Sequence, residues 1–555
     1  MKKGEIILLV IVMCISMVLR IQAQDYTKYF SENDLRSTVK FLSDDGFEGR
    51  APGSRGGELA AKYIANRMQL AGIKPGNNGS YFQPVPLVGL TPDPNTKLET
   101  IRTADGKTFS FNFGSDWVGF TDAQKDDVTV EGELMFVGYG IDAPEQKWND
   151  YKGDPQQYKD KILLILVNDP PATDAEPDLF GGKALTYYGR WTYKYEEAAR
   201  KGAKGVILIH TTEMAGYPWQ VVETSFGGTT KFDIARSADS KVPFLEMKAW
   251  MKDSSVMEFI KFSGMGLGGM MEKAKSRDFQ PVDLKTKIRV NLKAKLERVD
   301  SNNVIGIIEG SDPKLKEEYV VYTAHWDHLG VGKPNKDGDT IYNGALDNAS
   351  GVSQVLALAD AFTKLPKNDQ PKRSQIFLFV TAEEQGLLGA EYYAQNPVYS
   401  LQKTAANINI DGGNFYGKTR DFGALGAERS SLGDFVFDAL KRRNMVFAPD
   451  RRPEQGSFFR SDHFPFAKKG VPALSIRGGG DYIGKPADFS EKLFGEFNLK
   501  HYHQPSDEFR EEWVFDGMVQ MLDVVMSIGM DASNVEKLPV FNKGDEFAAA
   551  QPDRK

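Results

Sequence analysis

From about residue 288 the sequence alternates short apolar runs with stretches of helical spacing. The apolar runs are NVIGIIEG, YVVYTAH, QIFLFVTA, ANINID and PALSIR. Between them lie segments such as SGVSQVLALADAFTKL and GLLGAEYYAQN, in which apolar residues recur at helical intervals. Strands that alternate with helices form a largely parallel sheet covered by helices. The sequence therefore predicts an α/β domain whose ligands bind at the carboxyl ends of its strands.

A second, smaller α/β pattern precedes this one. Segment 128–287 contains the strand-like runs GELMFVGYGI and KILLILVNDPP and the helix-turn-strand pattern YKYEEAARKGAKGVILIH. A chain of 555 residues is too long for one ordinary core. We therefore predict a β-rich α/β domain at 128–287, inserted between 24–127 and 288–537 of the main domain, and a polar tail at 538–555.

The first 23 residues have the pattern of a signal peptide. Lys2 and Lys3 form a basic start, Ile6–Leu19 is an apolar stretch, and Ala23 ends a weak small-residue cleavage site. The apolar stretch is too short for a comfortable membrane span. We expect a secreted or periplasmic protein with no membrane association after cleavage; a retained N-terminal anchor is the alternative.

Charge and cysteine content narrow the chemistry further. Cleavage after Ala23 would remove three basic residues and one acidic residue, which takes the formal net charge from −7 to −9. This negative charge disfavours nucleic acid as a partner. Cleavage would also remove Cys14, the only cysteine, so the secreted chain would have no disulfide and no cysteine ligand. Any metal ion must then be held by His, Asp and Glu.

Several such side chains follow apolar strand-like runs in the main domain. They are His325, Asp347, Glu383, Glu384, Asp411 and His503. Taken singly, each is explained by a helix cap, a solvated loop or a structural histidine. Their joint occurrence, mostly at strand exits of one predicted sheet, favours a metal site. Imidazole nitrogens and carboxylate oxygens are suitable zinc ligands without any sulfur.

The adjacent pair Glu383-Glu384 suggests a division of labour. Neighbouring residues that leave a strand project in different directions, so both are not expected to bind one metal ion alike. One can act as a ligand while the other faces the metal-activated water as a general base. The spacing alone leaves open which glutamate has which role.

The motifs of the main domain, taken together, resemble those of a known enzyme family. The set HWDHLG, NGALDNASG, TAEEQGLLGAEYY, NINIDGG, SDHFPFAKKGVPAL and YHQPSDE resembles the co-catalytic two-zinc aminopeptidases, a group that includes aminopeptidase Y and glutamate carboxypeptidase-like peptidases. EGRAPGSRGGELAAKYI is similar to the family's N-terminal segment, and 128–287 resembles its inserted protease-associated domain. The resemblance implies a three-layer α/β/α zinc-peptidase domain with a mostly parallel mixed sheet.

The resemblance also implies a ligand set for two zinc ions per chain. Asp347 bridges the two ions in this pattern. His325 and Asp411 complete one site, and Glu384 and His503 complete the other.

The remaining polar residues receive roles from the same resemblance. Glu383 is the general base, and the carboxylate of Asp327 accepts the second N–H of His325 and fixes its tautomer. His328 is left as a hydrogen-bonded loop residue without a metal role. His501 is set aside in favour of His503.

The resemblance implies peptide substrates and hydrolysis of N-terminal residues. A glutamate-carboxypeptidase-like or dipeptidase activity is the alternative, and it would need arginines to bind an α-carboxylate. Arg451, Arg452, Arg460 and Arg477 are candidates for that role. A non-catalytic, receptor-like relative is a third possibility, against which the intact ligand set argues.

Overall fold

The computed structural model describes residues 24–228, 230–261 and 266–551. The predicted signal segment 1–23, with Cys14, lies outside the described residues. In the described ranges no helix combines the length and apolar character needed to span a membrane.

The strands of the described residues are numbered in chain order. They are β1 (Lys74–Pro75), β2 (Phe82–Pro92), β3 (Lys97–Arg102), β4 (Thr108–Asn112), β5 (Trp117–Phe120), β6 (Asp127–Phe136), β7 (Asp142–Ala143), β8 (Trp148–Asn149), β9 (Ile162–Leu166), β10 (Gly205–His210), β11 (Lys231–Ile234), β12 (Met247–Lys252), β13 (Val282–Ile308), β14 (Tyr319–His325), β15 (Gly330–Val331), β16 (Ile341–Tyr342), β17 (Ser374–Val380), β18 (Thr404–Ile410), β19 (Asp421–Leu425), β20 (Val446–Phe447) and β21 (Ala473–Arg477).

The α-helices of the described residues are numbered in the same way. They are α1 (Glu32–Leu42), α2 (Arg55–Leu70), α3 (Trp191–Arg200), α4 (Thr212–Ala215), α5 (Trp219–Phe226), α6 (Asp253–Ile260), α7 (Leu267–Ala274), α8 (Ser350–Thr363), α9 (Leu388–Gln395), α10 (Leu432–Arg442), α11 (His463–Lys468), α12 (Phe489–Lys500) and α13 (Asp516–Asn534).

The described chain forms two compact units. The first unit comprises the residues up to 85 together with 301–450 and 461 onward, and the second unit comprises 86–300 and 451–460.

The sheet of the first unit has four parallel strands at its centre. Its strand order is β1–β13–β17–β14–β18–β21–β19–β20, with β17, β14, β18 and β21 parallel to one another. β13 and β19 run antiparallel to the strands at either side of this centre. Strands β17 and β18 are buried along their whole length, because a parallel sheet covered by helices has no solvent face. The predicted mostly parallel mixed sheet is confirmed.

Helices cover this sheet on both faces. Alternate β14 residues, Val320, Tyr322 and Ala324, join one apolar cluster with α8 and α13, as side chains on one face of a strand do. Helix α11 packs against β18 and β21 and contacts α9, where the rings of Tyr393 and Phe466 lie 5.6 Å apart. The three-layer α/β/α architecture follows.

The second unit is built on its own mixed sheet. Its strand order is β4–β3–β13–β6–β9–β10–β12–β5, with β6, β9, β10 and β12 parallel. Helices α3 and α5 contribute buried aromatic residues such as Tyr195 and Trp219 to its core. This unit is the smaller, β-rich α/β body expected from the sequence; its likeness to a protease-associated domain stays a prediction.

The boundaries of the units differ from the sequence-based ones. The second unit begins at 86 rather than 128 and ends at 300 rather than 287. The reason is strand pairing: β3 and β4 pair with β13 or with each other, and β5 pairs with β12, so these early strands belong to the second unit. Such pairings join residues far apart in sequence, which local patterns do not reveal.

The described part of the predicted polar tail, 538–551, packs on the first unit. Phe541 and Phe547 are buried, and Asp545 forms an ion pair of 3.0 Å with Arg429. The backbone N–H of Val540 donates to Ser431. This segment is therefore part of the folded unit.

Candidate metal centre

The carboxyl ends of three parallel strands carry acidic or imidazole side chains. His325 is the last residue of β14, Asp411 follows β18 directly, and Glu383 lies three residues after β17. The strands end level with one another, because His325 pairs with Val380 of β17. The predicted strand exits therefore meet at one edge of the sheet.

Asp347 lies between two histidines. It belongs to a short π-helical turn, Ala345–Ala349, that leads into α8. Its Oδ1 lies 3.2 Å from His325 Nε2, and its Oδ2 lies 3.4 Å from His503 Nε2. His325 Nε2 is also 3.3 Å from Asp411 Oδ1, and His503 Nε2 is 2.9 Å from Glu384 Oε2. Two overlapping groups result, and Asp347 is common to both.

The donor set of this centre fits a metal ion. Candidate ligand atoms of His325, Asp347 and Glu384 all lie within 4.8 Å of one another, and so do those of His325, Glu383 and Asp411. Carboxylate oxygens and imidazole nitrogens at such spacing are the ligands that zinc takes in sites without cysteine.

The imidazoles and the central carboxylates stabilise each other's charge. Although burial acts to raise it, the hydrogen bonds of His325 and His503 hold the pKa of Asp347 well below its usual range. Burial acts in the opposite sense on the imidazoles, but their carboxylate partners raise the pKa of His325 well above its usual value and that of His503 to about 10. A metal cation bound at this centre would neutralise the same carboxylates that the two imidazoles contact.

Glu383 and Glu384 have different surroundings. Burial, together with the charges of Asp411 and Asp462, raises the pKa of Glu383 well above its usual range, against the opposing effect of His325. Burial and Asp347 also act to raise the pKa of Glu384, but its imidazole partners lower it to about 2. The two neighbours therefore do not play the same role.

The part of the chain that holds this centre matches a known family. Residues 303–527 match the model of peptidase family M28. All six residues expected at the centre lie inside this segment.

The chain is also similar to several named proteins over part of their length. A mouse protein named aminopeptidase NAALADL1 is 32% identical over 130 residues, which cover 23% of this chain and 15% of that protein. A probable zinc metalloprotease of Pyrenophora teres f. teres is 34% identical over 113 residues, 20% of this chain and 23% of that protein. The chain thus spans less than a quarter of the length of these relatives.

Solved structures give a likeness over most of the chain. An aminopeptidase from Aneurinibacillus sp. strain AM-1 covers 92% of this chain and 96% of its own, with 18% identity and a TM-score of 0.46. The zinc aminopeptidase BSAP from Bacillus subtilis covers 93% of this chain and 98% of its own, with 18% identity and a TM-score of 0.41.

Asp327 differs in its contacts from the prediction. His325 Nδ1 lies 3.1 Å from the backbone carbonyl oxygen of Asp327, but 3.9 Å from its Oδ1. The carboxylate instead accepts the backbone N–H of Glu383 at 3.1 Å. Asp327 thus fixes the imidazole through its main chain and the Glu383 loop through its side chain.

His328, expected to be a hydrogen-bonded loop residue without a metal role, contacts a predicted ligand of the centre. Its Nδ1 lies 2.6 Å from Glu384 Oε1, and the residue is fully buried. Asp327 and His328, which are adjacent in the HWDH motif, therefore both contact residues of the centre. The ring nitrogens of His501, which was set aside as a ligand, contact Ser506 and Arg510.

Asp507 holds the Asp347 turn and was missed by the sequence reasoning. Its two carboxylate oxygens accept the backbone N–H groups of Leu346 and Asp347, each at 3.0 Å, and its carbonyl accepts that of Ala345 at 2.9 Å. The side chain is buried. Its position in the quoted motif YHQPSDE was the only available signal.

Asn348 connects the same turn to the end of β18. Its Oδ1 accepts the N–H groups of Gly351 at 2.9 Å and Gly412 at 3.0 Å, and its Nδ2 donates to Ile410 at 3.2 Å. Because Ile410 and Gly412 flank Asp411, Asn348 sets the spacing between Asp347 and Asp411.

A chain of buried polar groups fixes the orientation of Asp411. Thr323 Oγ1 donates to Asn409 at 2.7 Å, Asn409 Nδ2 donates to Ser461 at 2.7 Å, and Ser461 Oγ donates to Asp411 Oδ2 at 2.6 Å. All donors point towards Asp411, and such chains strengthen cooperatively. Ser461 therefore occupies Oδ2 and leaves Oδ1 facing His325.

Arg50 connects two loops of the centre. Its guanidinium donates to the carbonyls of Trp326, Asn343 and Gly344 at 2.9, 2.5 and 2.9 Å. The side chain is buried, and it is part of the motif EGRAPGS. Five donors in a rigid fork allow one arginine to join the loop after β14 to the loop before Asp347.

Proposed function

We propose that the protein is a zinc-dependent exopeptidase that removes N-terminal residues from peptides and binds two zinc ions per chain. The observation that carries this proposal is the geometry of Asp347, whose two oxygens face two different histidines. A carboxylate in this position can serve two neighbouring metal sites at once. The match of the 303–527 segment to peptidase family M28 supports peptide substrates.

Five side chains would hold the metal ions. His325, Asp347 and Asp411 form one ligand group, and Asp347, Glu384 and His503 form the other. When bound, zinc polarises a carbonyl group and lowers the pKa of bound water to near 7. The chain's own residues supply the fixed orientation of the ligands and the movement of protons.

Glu383 is the proposed proton carrier. Its side chain lies in the same cluster as His325 and Asp411, and its backbone is held by Asp327. A glutamate whose pKa is raised can accept a proton from the attacking water and pass it to the leaving amine. Its neighbour Glu384 is held by two imidazoles and is not free for that task.

Tyr502 is the proposed hydrogen-bond donor to the substrate carbonyl oxygen that becomes negatively charged during hydrolysis. Its ring lies 3.9 Å from that of His503 and nearly parallel to it. Tyr502 is half exposed, but the partial burial of its phenol, with the charges of Asp347 and Glu384, raises the pKa of this group above its usual value, so it stays protonated. Tyr502→Phe should therefore lower kcat more than it changes KM; an unchanged kcat would remove Tyr502 from the mechanism.

The charge of the surroundings favours an amine over a carboxylate as the recognised substrate end. The three carboxylate ligands nearly balance two divalent ions, and the buried acids Asp327, Asp462 and Asp507 add negative charge around them. A free α-amine is thus the expected recognition group.

The proposed location is outside the cytoplasm, on the basis of the signal-like segment 1–23. Detection of a mature chain that begins near Gln24 in the periplasm or medium would support it. A chain that retains Lys2 and Lys3 there would favour the anchor instead.

One substrate panel tests the proposed activity. Aminoacyl anilides, their N-acetylated forms and peptides with a C-terminal glutamate are each incubated with and without a chelator. We expect cleavage of the free-amine anilides alone, and its loss on chelation. Cleavage that survives chelation contradicts the zinc mechanism, and cleavage of only the N-blocked glutamyl peptides favours the carboxypeptidase alternative.

A further inference from the structure

We propose that His328 is a positioning residue that holds one oxygen of Glu384 and thereby turns the other oxygen towards His503. The inference rests on the proposed function, in which Glu384 and His503 bind the same metal ion. It assigns a task to the second histidine of the HWDH motif, which the ligand set itself does not use.

The two oxygens of Glu384 are divided between two histidines. Oε1 lies 2.6 Å from His328 Nδ1, and Oε2 lies 2.9 Å from His503 Nε2. Because Oε1 is occupied by a donor from the protein, Oε2 is the oxygen directed at the centre. Ser461 divides the oxygens of Asp411 in the same way, so each terminal carboxylate has one oxygen held by the chain.

The His328 ring has little freedom to leave this position. It is fully buried, and its backbone N–H faces the carbonyl of Arg50 at 3.4 Å. Gly344 lies against the ring: a Cβ atom there would come within 2.6 Å of His328 Cγ and 2.7 Å of Cδ2. The loop that leads to Asp347 thus closes over the imidazole and fixes it next to Glu384.

The hydrogen bonding of the ring defines which nitrogen donates. An ionised carboxylate only accepts hydrogen bonds, so Nδ1 must carry the hydrogen in the pair with Glu384. Nε2 is buried and has no hydrogen-bond partner among the described residues. Nδ1 is therefore the ring nitrogen that holds Glu384.

Substitutions can separate this donor from the bulk of the ring. Asparagine places its amide nitrogen near the position of Nδ1, whereas glutamine places it near that of Nε2. His328→Asn should therefore keep the bond to Glu384, and His328→Gln and His328→Leu should lose it. His210→Leu is a matched control, because His210 is a buried histidine of the second unit whose Nε2 contacts the carbonyl of Tyr217.

The test is a competitive zinc titration of the metal-free full chain against a chromophoric chelator. Removal of a residue that orients a metal ligand weakens metal affinity by about 10- to 100-fold. We expect this loss in one of two binding steps for His328→Leu and His328→Gln, with His328→Asn and His210→Leu close to the wild type. Circular dichroism of the metal-free variants identifies any variant that fails to fold. If His328→Leu does not fold, the comparison of His328→Asn with His328→Gln decides the test.

The outcomes separate the two claims. Wild-type affinity in both steps for His328→Gln, or an equal loss for His328→Asn and His328→Gln, overturns the role of His328 while the proposed function stands. A wild-type chain that binds fewer than two zinc ions overturns the proposed function and the inference with it.

Discussion

The two units compensate the charge of buried acidic side chains in different ways. In the second unit, Lys194 is fully buried together with Asp150, and Asp169 acts on it electrostatically. In the first unit, seven acidic side chains surround the centre, and the protein groups facing them are mainly imidazoles. The seven acidic side chains are those of Asp327, Asp347, Glu383, Glu384, Asp411, Asp462 and Asp507.

The difference lies in where the compensating charge comes from. Burying a charged side chain is costly unless the charge is paired or the side chain coordinates a metal ion. The second unit carries a cation of its own for its acids. The first unit has more buried acids at its centre than the guanidinium of Arg50 and the imidazoles of His325 and His503 can balance. A pair of divalent cations is the compensation we propose.

The largest expected effect concerns an acid of the first unit that is not a ligand. Glu383→Gln should lower kcat by about 10²- to 10⁴-fold, because general base catalysis is lost. The zinc content should stay at two per chain. Peptidase kinetics and metal analysis of the same preparation check both parts, with Glu317→Gln as an exposed control. Loss of one zinc ion instead would mean that Glu383 and Glu384 exchange roles.

The next effect concerns the internal cation of the second unit. Lys194→Met should destabilise the protein by about 3 kcal/mol at pH 7, because it leaves buried carboxylates without a partner. Burial lowers the pKa of Lys194 to about 7, and it raises the pKa of Asp150 to about 7 and that of Asp169 to about 6. Loss of the lysine raises both carboxyl pKa values further. The variant should therefore be less impaired at pH 5, where the acids are protonated, than at pH 7.

Chemical denaturation at the two pH values measures this difference, with the exposed Lys273→Met as the control. Zinc binding should not change. An unchanged stability at pH 7, or a loss of zinc, would contradict the contrast between internal and external compensation.

The smallest expected effect is the pH dependence of zinc binding. Zinc binds neutral imidazole, whereas the carboxylates around His503 raise its pKa to about 10 in the metal-free chain, although burial opposes them. Zinc must therefore displace protons at neutral pH, and affinity should rise by about tenfold per pH unit for each proton released. Calorimetry in buffers of different ionisation enthalpy counts these protons. Zinc binding without proton release would show that the histidines are not ligands.

The sequence predicted the elements that periodicity controls. The apolar runs fixed β14, β17 and β18, and so the positions of His325, Glu383 and Asp411 at one edge of the sheet. Family motifs supplied Asp347 and His503, which lie in irregular turns where no period applies.

The rest depended on backbone paths that no pattern encodes. Arg50 and Asp507 act on main-chain groups, which any residue offers, so their partners leave no trace in the sequence. His328 was expected to be a hydrogen-bonded loop residue, but its position in the motif did not reveal that its partner is Glu384. The unit boundary at 86 was missed because strand pairing is non-local.

The central claim is that the acid-rich centre of the first unit holds two zinc ions that share Asp347. Anomalous diffraction at the zinc absorption edge tests it most directly, on crystals of the zinc-loaded full chain. The account predicts two peaks about 3.5 to 4 Å apart, one beside His325 and Asp411 and the other beside Glu384 and His503, with Asp347 between them. A single peak, or peaks away from Asp347, would contradict it.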